Sequence, residues 1–206
     1  MLCLMVAAKQ LTRREAQTGL VDELAGTDEQ LIEAAVRCFL RDGWIDMRVL
    51  SVEAGVGRAT VYRHLGARDD VLGEVLWSLA RSTLRSARRE APGQGAEHVV
   101  EILRRSMTEI VALPALRLLL DRDPETALRV LTSRDGLVQT RVVNAIEQLV
   151  LEEIGPPRGI TSRTLAYAIT RVAECFCYSD VITGQSPDIK SGAEIIRRLL
   201  QARGDS

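Results

Sequence analysis

The apolar positions of this chain recur at helical spacing almost throughout. Ile32, Ala35, Val36, Phe39 and Leu40 stand at i, i+3, i+4, i+7 and i+8, one face of an amphipathic helix. Thr27 precedes this stripe with Gln30 three residues on, a spacing that predicts a helix start: Thr27 caps and Gln30 reaches back. Gly43 marks its end. A second helix is expected from Asp46, a good N-cap, to Ala54, and Gly55 breaks the pattern. A short third helix covers Arg58 to Leu65 and stops at Gly66. Asp69 and Asp70 open a long fourth helix, where carboxylates meet the positive end of its dipole. It carries Leu72, Val75, Leu76 and Leu79 on its apolar side and fades near Arg88–Glu90.

Pro92-Gly93-Gln94-Gly95 is the clearest break. Beyond it the spacing predicts helices at 96–112, 114–121, 124–134, 136–154, 161–183 and 190–202, with Pro114 and Pro124 in first turns. Gly155-Pro156-Pro157 and Gly184–Pro187 read as loops. No segment alternates with period two and no repeat is found, so the class is all-α. Residues 1–26 form an N-terminal extension, an arm or a helix, since Leu11, Glu15, Leu20, Val21 and Leu24 permit either. Residues 27–70 form a small helical unit, and 71–206 a larger bundle that the fourth helix enters.

Composition narrows the classes. Over 206 residues, 46% hydrophobic and 27% charged describe an ordinary globular chain. Aromatics at 3% argue against a β-rich fold and against a sheet that stacks RNA bases. No apolar run reaches the roughly 18–20 residues needed to cross a bilayer. The Met1–Ala8 run is short and follows no basic segment, so neither a membrane span nor a secretory signal is expected, and the cytoplasm is. A net charge of −1 excludes nucleic-acid binding by bulk positive charge. Of 27 basic residues all but Lys9 and Lys190 are Arg. GC-rich coding accounts for that bias, so only the placement of particular arginines is informative. Cys3, Cys38, Cys175 and Cys177 fit neither a disulfide framework nor a zinc spacing, and His64 and His98 are the only histidines. No metal or cofactor is expected.

The informative stretch is Met47 to Gly66. Small Ser51 lets two helices cross closely, Gly55 supplies a left-handed turn, and Val61 pins the second helix against Leu50. This is the pattern of a helix-turn-helix, with Arg58, Ala59, Thr60, Tyr62, Arg63 and His64 projecting from the short helix toward a DNA major groove. From residue 48 to 68, Arg48, Arg58, Arg63 and Arg68 stand against Glu53 alone, a balance of +3. The plainer reading is the charged solvent face of any helical hairpin; the coincidence of glycine, apolar pins and charge favours DNA. Gly55-Val56-Gly57-Arg58-Ala59-Thr60 partly imitates a dinucleotide fingerprint, but that motif needs a strand before it and here a helix precedes.

Gln30-Leu-Ile-Glu-Ala-Ala-Val-Arg-Cys-Phe39, Ala54-Gly-Val-Gly-Arg-Ala-Thr-Val-Tyr-Arg-His-Leu65 and Arg68-Asp-Asp-Val-Leu72 resemble the N-terminal pattern of the TetR family of one-component bacterial regulators. Ile45-Asp46-Met47, Arg58-Ala59-Thr60 and Gly73-Glu74-Val75-Leu76-Trp77-Ser78-Leu79 further resemble the quorum-lactone-degradation (QsdR-like) subgroup. The resemblance implies a homodimeric repressor. Each N-terminal unit reads half of a palindromic double-stranded operator, and a small-molecule effector in the C-terminal bundle moves the fourth helix. By position, it implies that Thr60, Tyr62 and His64 touch phosphates, that Arg58, Ala59 and Arg63 reach bases, and that Arg68 lies near phosphate. The subgroup suggests a lactone or another small amphiphile as effector. Gly57 and Ala67 depart from usual serines and Leu65 from a usual phenylalanine, and the stretch before Met47 is about two residues shorter than the common pattern.

In the bundle, Val142, Ile146, Leu149 and Leu165, Ile169, Val172, Phe176 leave helices apolar over so much surface that partners are needed on two sides. A second copy is one such partner, and a larger monomeric core is the alternative. Tyr167, Arg171, Glu174 and Tyr178 form a polar stripe: a solvated rim with an Arg171–Glu174 pair, or the polar lining of a pocket with Trp77, Met107 and Val111 as apolar walls. Those three are otherwise plain core. No nucleophile–base–acid set is found, so an enzyme is not expected. The readings left open are a regulator that binds DNA without a ligand and, behind it, an all-α binding protein or enzyme with an incidental helix-turn-helix.

Overall fold

The computed structural model of the chain describes residues 21–201. The helices, numbered in chain order, are α1 (Val21–Asp42), α2 (Met47–Glu53), α3 (Arg58–Leu65), α4 (Arg68–Glu90), α5 (Gly95–Val111) and α6 (Pro114–Arg122), followed by α7 (Pro124–Thr132), α8 (Leu137–Ile154), α9 (Ser162–Cys177), α10 (Ser179–Thr183) and α11 (Ile189–Gln201). No strand occurs among the described residues. The expected breaks at Gly43, Gly55, Gly66 and residues 92–94 are all present. Questions about residues 1–20, Cys3 and Leu11 included, lie outside the described residues.

Two helix boundaries differ from the sequence expectation. Thr27 does not cap α1: the helix passes through it and is already formed at Val21, the first described residue. A Thr-x-x-Gln spacing is permissive inside a helix as well as at its start, so the signal alone does not locate an end. The single helix expected over 161–183 is broken at Tyr178, whose φ and ψ of −113° and 20° leave the helical region. Arg117 of α6 reaches across to Asp180 and to the Cys177 carbonyl oxygen (3.5 Å), drawing both sides of the break onto a neighbouring helix.

Inside the N-terminal unit, Phe39, Leu50 and Val61 are wholly buried and join α1, α2 and α3. Core burial of this kind contributes about 1.5–3 kcal/mol per large apolar side chain. The unit is joined to the bundle through α4, whose buried Val71, Leu72, Val75 and Leu76 belong to the same continuous core. A second seam lies at Gly43, where φ is +64° and an added Cβ would stand 2.6 Å from the Leu118 Cβ of α6. In the bundle, α8 packs on α4, α5, α7 and α9, and α11 covers α5 and α9.

Candidate nucleic-acid interface and effector cavity

The turn between α2 and α3 is built as its residues require. The Asp46 carboxylate accepts from the backbone N–H of Arg48 (2.7 Å) and Val49 (3.1 Å), starting α2. Those bonds hold the Asp46 carboxyl below the usual carboxylate range. Gly55 takes φ +68°, a conformation costly for any residue with a Cβ. Ser51 is buried and donates its hydroxyl to the Arg48 carbonyl (2.8 Å), so the small residue at the crossing leaves no polar atom unpaired.

The outer face of α3 then carries Arg58, Ala59, Tyr62 and Arg63 exposed, with Thr60 half-buried beside them. Tyr62 is 51% exposed, while Val61 between its neighbours is fully buried. Gly57 begins the helix with no side-chain cap, so the first N–H groups of α3 are open to an acceptor from outside. Arg48 is also exposed. Glu53, the one acid of this stretch, is paired backward to Arg37 (3.3 Å) and Arg41 (3.4 Å) of α1, and so does not neutralise the α3 arginines.

Two of the expected phosphate contacts are otherwise engaged. His64 is mostly buried, and its Nδ1 lies 2.7 Å from Asp28 of α1, which fastens α3 to α1. The Arg68 guanidinium stacks 4.2 Å from the centre of the Trp44 ring and bonds Asp69. Arg122 of α6 approaches the same ring at 4.8 Å. Arg68 is thus a clasp between the N-terminal unit and the bundle, because the indole face and a neighbouring carboxylate outbid solvent for its charge. Asp69 continues the clasp to Arg129 of α7 at 2.7 Å.

A cavity of about 130 Å³ lies beneath α4 in the bundle. Its walls are mainly apolar: Leu76 and Leu79 from α4, Leu103 and Ile110 from α5, and Val142 and Ile146 from α8 are representative. Of the residues expected around a pocket, Trp77, Met107, Glu174 and Tyr178 line it. Val111 does not; its neighbour Ile110 takes that place one residue round the helix. Tyr167 is not part of the lining either and is 47% exposed on the outer side of α9. The Arg171–Glu174 pair is present at 2.7 Å, with Arg171 on the outer side and Glu174 turned into the cavity. Burial pushes the Glu174 carboxyl up to about 7, against the opposing pull of Arg171. Sequence reasoning missed Glu109 and Thr83 in the lining. Glu109 is the one acid in the apolar run from Met107 to Leu113, which is the signal that could have found it.

Within the chain, the residues expected at a dimer face pack as follows. Leu149, Leu165 and Ile169 are buried in the protein's own core, and Val142 and Ile146 face the cavity. Val172 and Phe176 are half-buried against that core, with Phe176 also against Gly192 of α11. Within the chain, α11 packs on α9, and the cavity takes up part of the apolar face of α8. Among the described residues no group of three or more His, Cys, Asp or Glu could hold a metal, and no helix is long and apolar enough to cross a membrane.

Residues 94–201 match the family described as "Tetracyclin repressor-like, C-terminal domain". Among solved structures, the chain is similar to the transcriptional repressor QsdR of R. erythropolis, described as from the TetR family. The identity is 26%, 87% of this chain and 97% of that one are covered, and the TM-score is 0.76. It shares its fold with the repressor AlkX of Dietzia sp. strain DQ12-45-1b, at 20% identity over 85% of this chain and 96% of that one with a TM-score of 0.65. No curated protein is significantly similar in sequence.

Proposed function

This chain belongs to the TetR family of transcriptional regulators, and on that premise we propose that it is a homodimeric repressor released from a palindromic operator by a small amphiphilic molecule. One observation carries the reading. The helix that walls the cavity, α4, is also the helix whose first residues clasp the DNA-reading unit. Leu76, Trp77 and Leu79 meet the cavity, while Arg68 and Asp69 hold Trp44 and Arg129. A guest that displaces the middle of α4 therefore pulls on α1 and α3 through contacts that tolerate only discrete arrangements. The cavity favours this reading over a regulator without a ligand. Its volume is close to the roughly 150 Å³ of an engineered apolar cavity that admits benzene.

Thr60, Tyr62, Arg48 and the open start of α3 supply phosphate contacts, which position the protein, and Arg58, Ala59 and Arg63 meet base edges. His64 and Arg68 act from behind, fixing α3 and α4. The dimer face is the outer surface of α8 and α9, where exposed Tyr167 stands with Thr140, Asn144 and Thr164. Tyrosine is suited to such a place because it covers much apolar area at small entropic cost. The test is the mass of the purified protein in solution together with its retention of random-sequence duplex DNA in dilute buffer. Two copies and salt-sensitive retention are expected; a single copy that ignores DNA contradicts the proposal.

A further inference from the structure

The cavity's polar groups are unevenly matched. Among the described residues no Lys, Arg or His lines it, yet two carboxylates, Glu109 and Glu174, do. Glu174 has Arg171 behind it at 2.7 Å. Glu109 has no hydrogen bond or ion pair among the described residues; burial and the nearby charge of Glu90 raise its carboxyl above the usual range, against a weaker pull from Arg105. The Ser106 and Thr170 hydroxyls donate to the carbonyls of Ile102 and Ala166, both at 2.8 Å, and so offer the cavity only lone pairs. The hydroxyls of Thr83 and Tyr178 also line the space. These residues are 7% and 6% exposed, and neither hydroxyl has a hydrogen-bond partner among the described residues. Both residues stand on the cavity wall, where an entering polar group can pair their hydroxyls.

An anionic amphiphile would bring charge toward Glu109 with no cation in the walls to receive it. A neutral ester would satisfy the hydroxyls but leave Glu109 uncompensated. A cation on an apolar stem meets both demands, since its charge offsets the carboxylate and its N–H groups find acceptors in Ser106, Thr170 and Tyr178.

Resting on the effector reading above, we propose that the cavity takes a hydrophobic cation, an organic ammonium compound. Its stem lies among Leu76, Leu79, Leu103 and Ile146, and its charged head is balanced by Glu109, with Glu174 as the second acid of the lining.

The experiment compares one chain length with four heads. n-Octylammonium, n-octanol, γ-octalactone and n-octanoate, each below its micellar concentration, are titrated calorimetrically into the full-length protein and into Glu109→Gln. The ammonium is expected to bind at least about tenfold more tightly than the alcohol or lactone, a difference of about 1.4 kcal/mol, and the octanoate most weakly. Glu109→Gln should remove most of the ammonium preference while leaving octanol affinity unchanged. Equal or tighter binding of lactone or octanoate by the unmodified protein overturns the proposal without reference to any variant. So does an ammonium preference that survives Glu109→Gln. DNA retention, measured in parallel, separates the two readings. If the ammonium binds selectively but DNA stays bound, the cation inference stands and effector-driven release falls. If the lactone alone binds and frees DNA, release stands and the cation inference falls.

Discussion

At the scale of single residues, the proposed interface divides into side chains that read and side chains that hold. Arg58 is exposed at the start of α3 and forms no hydrogen bond or ion pair with a carboxylate among the described residues, which leaves it able to meet a guanine edge. Arg58→Ala should cost about 1–3 kcal/mol of discrimination at one base position per half-site, visible as a relaxed preference in the sequences it selects. Tyr62→Phe should instead weaken binding to all sequences alike, measured by titrating matched and mismatched duplexes. Glu174 sets a pH dependence of stability. Its carboxyl is raised in the folded protein from 4.5 to about 7, so the folded state holds a proton that the unfolded state releases across that window. This contribution is fully present below about 4.5 and is lost as pH rises toward 7. Denaturant titrations at several pH values should show Glu174→Gln losing less stability over that range than the unmodified protein. An unchanged slope would mean that Glu174 is solvated and not turned into the cavity.

At the scale of elements, what could be read from the sequence was whatever is decided locally. Asp46, Gly55 and Gly66 fix α2 and α3 by caps and left-handed turns, and those helices fall where the spacing puts them. The break at Tyr178 was not legible, because it depends on Arg117, some sixty positions away in the chain. The intrachain partners of the apolar helices were not legible for a related reason: a helix apolar on two sides reveals that it needs two partners but not whose they are. Here α11 packs on α9, and the cavity takes up part of the apolar face of α8. The contacts of His64 with Asp28 and of Arg68 with Trp44 were not legible either, because only the fold brings those residues together. Two glycines separate turn strain from packing. At Gly55 an added Cβ meets nothing within 4 Å, so Gly55→Ala should cost only the left-handed backbone, about 1–2 kcal/mol. At Gly43 the same strain is joined by a collision with Leu118. Thermal unfolding should therefore show a markedly larger loss for Gly43→Ala; equal losses would mean that the α1–α6 seam is slack.

At the scale of the whole molecule, the account requires two reading heads held at a fixed span. Tyr167→Asp on the outer surface of α9 should convert the dimer to single copies that retain their helix content, by light scattering and circular dichroism, and should abolish tight binding to a full site. With Arg68 drawn into its clasp on Trp44, the proposed subunit has at most Arg48, Arg58 and Arg63 left to neutralise phosphates, and those that meet bases lower the number further. The affinity of a dimer should then fall with salt at a log–log slope no steeper than about −5. The most direct test of paired α3 helices is selection of bound fragments from a random duplex pool by the full-length protein. Enrichment of an inverted repeat whose half-sites lie about one helical turn apart, or a whole multiple of it, is the predicted result. Recovery of a single asymmetric site, or of no preferred sequence, would contradict the account.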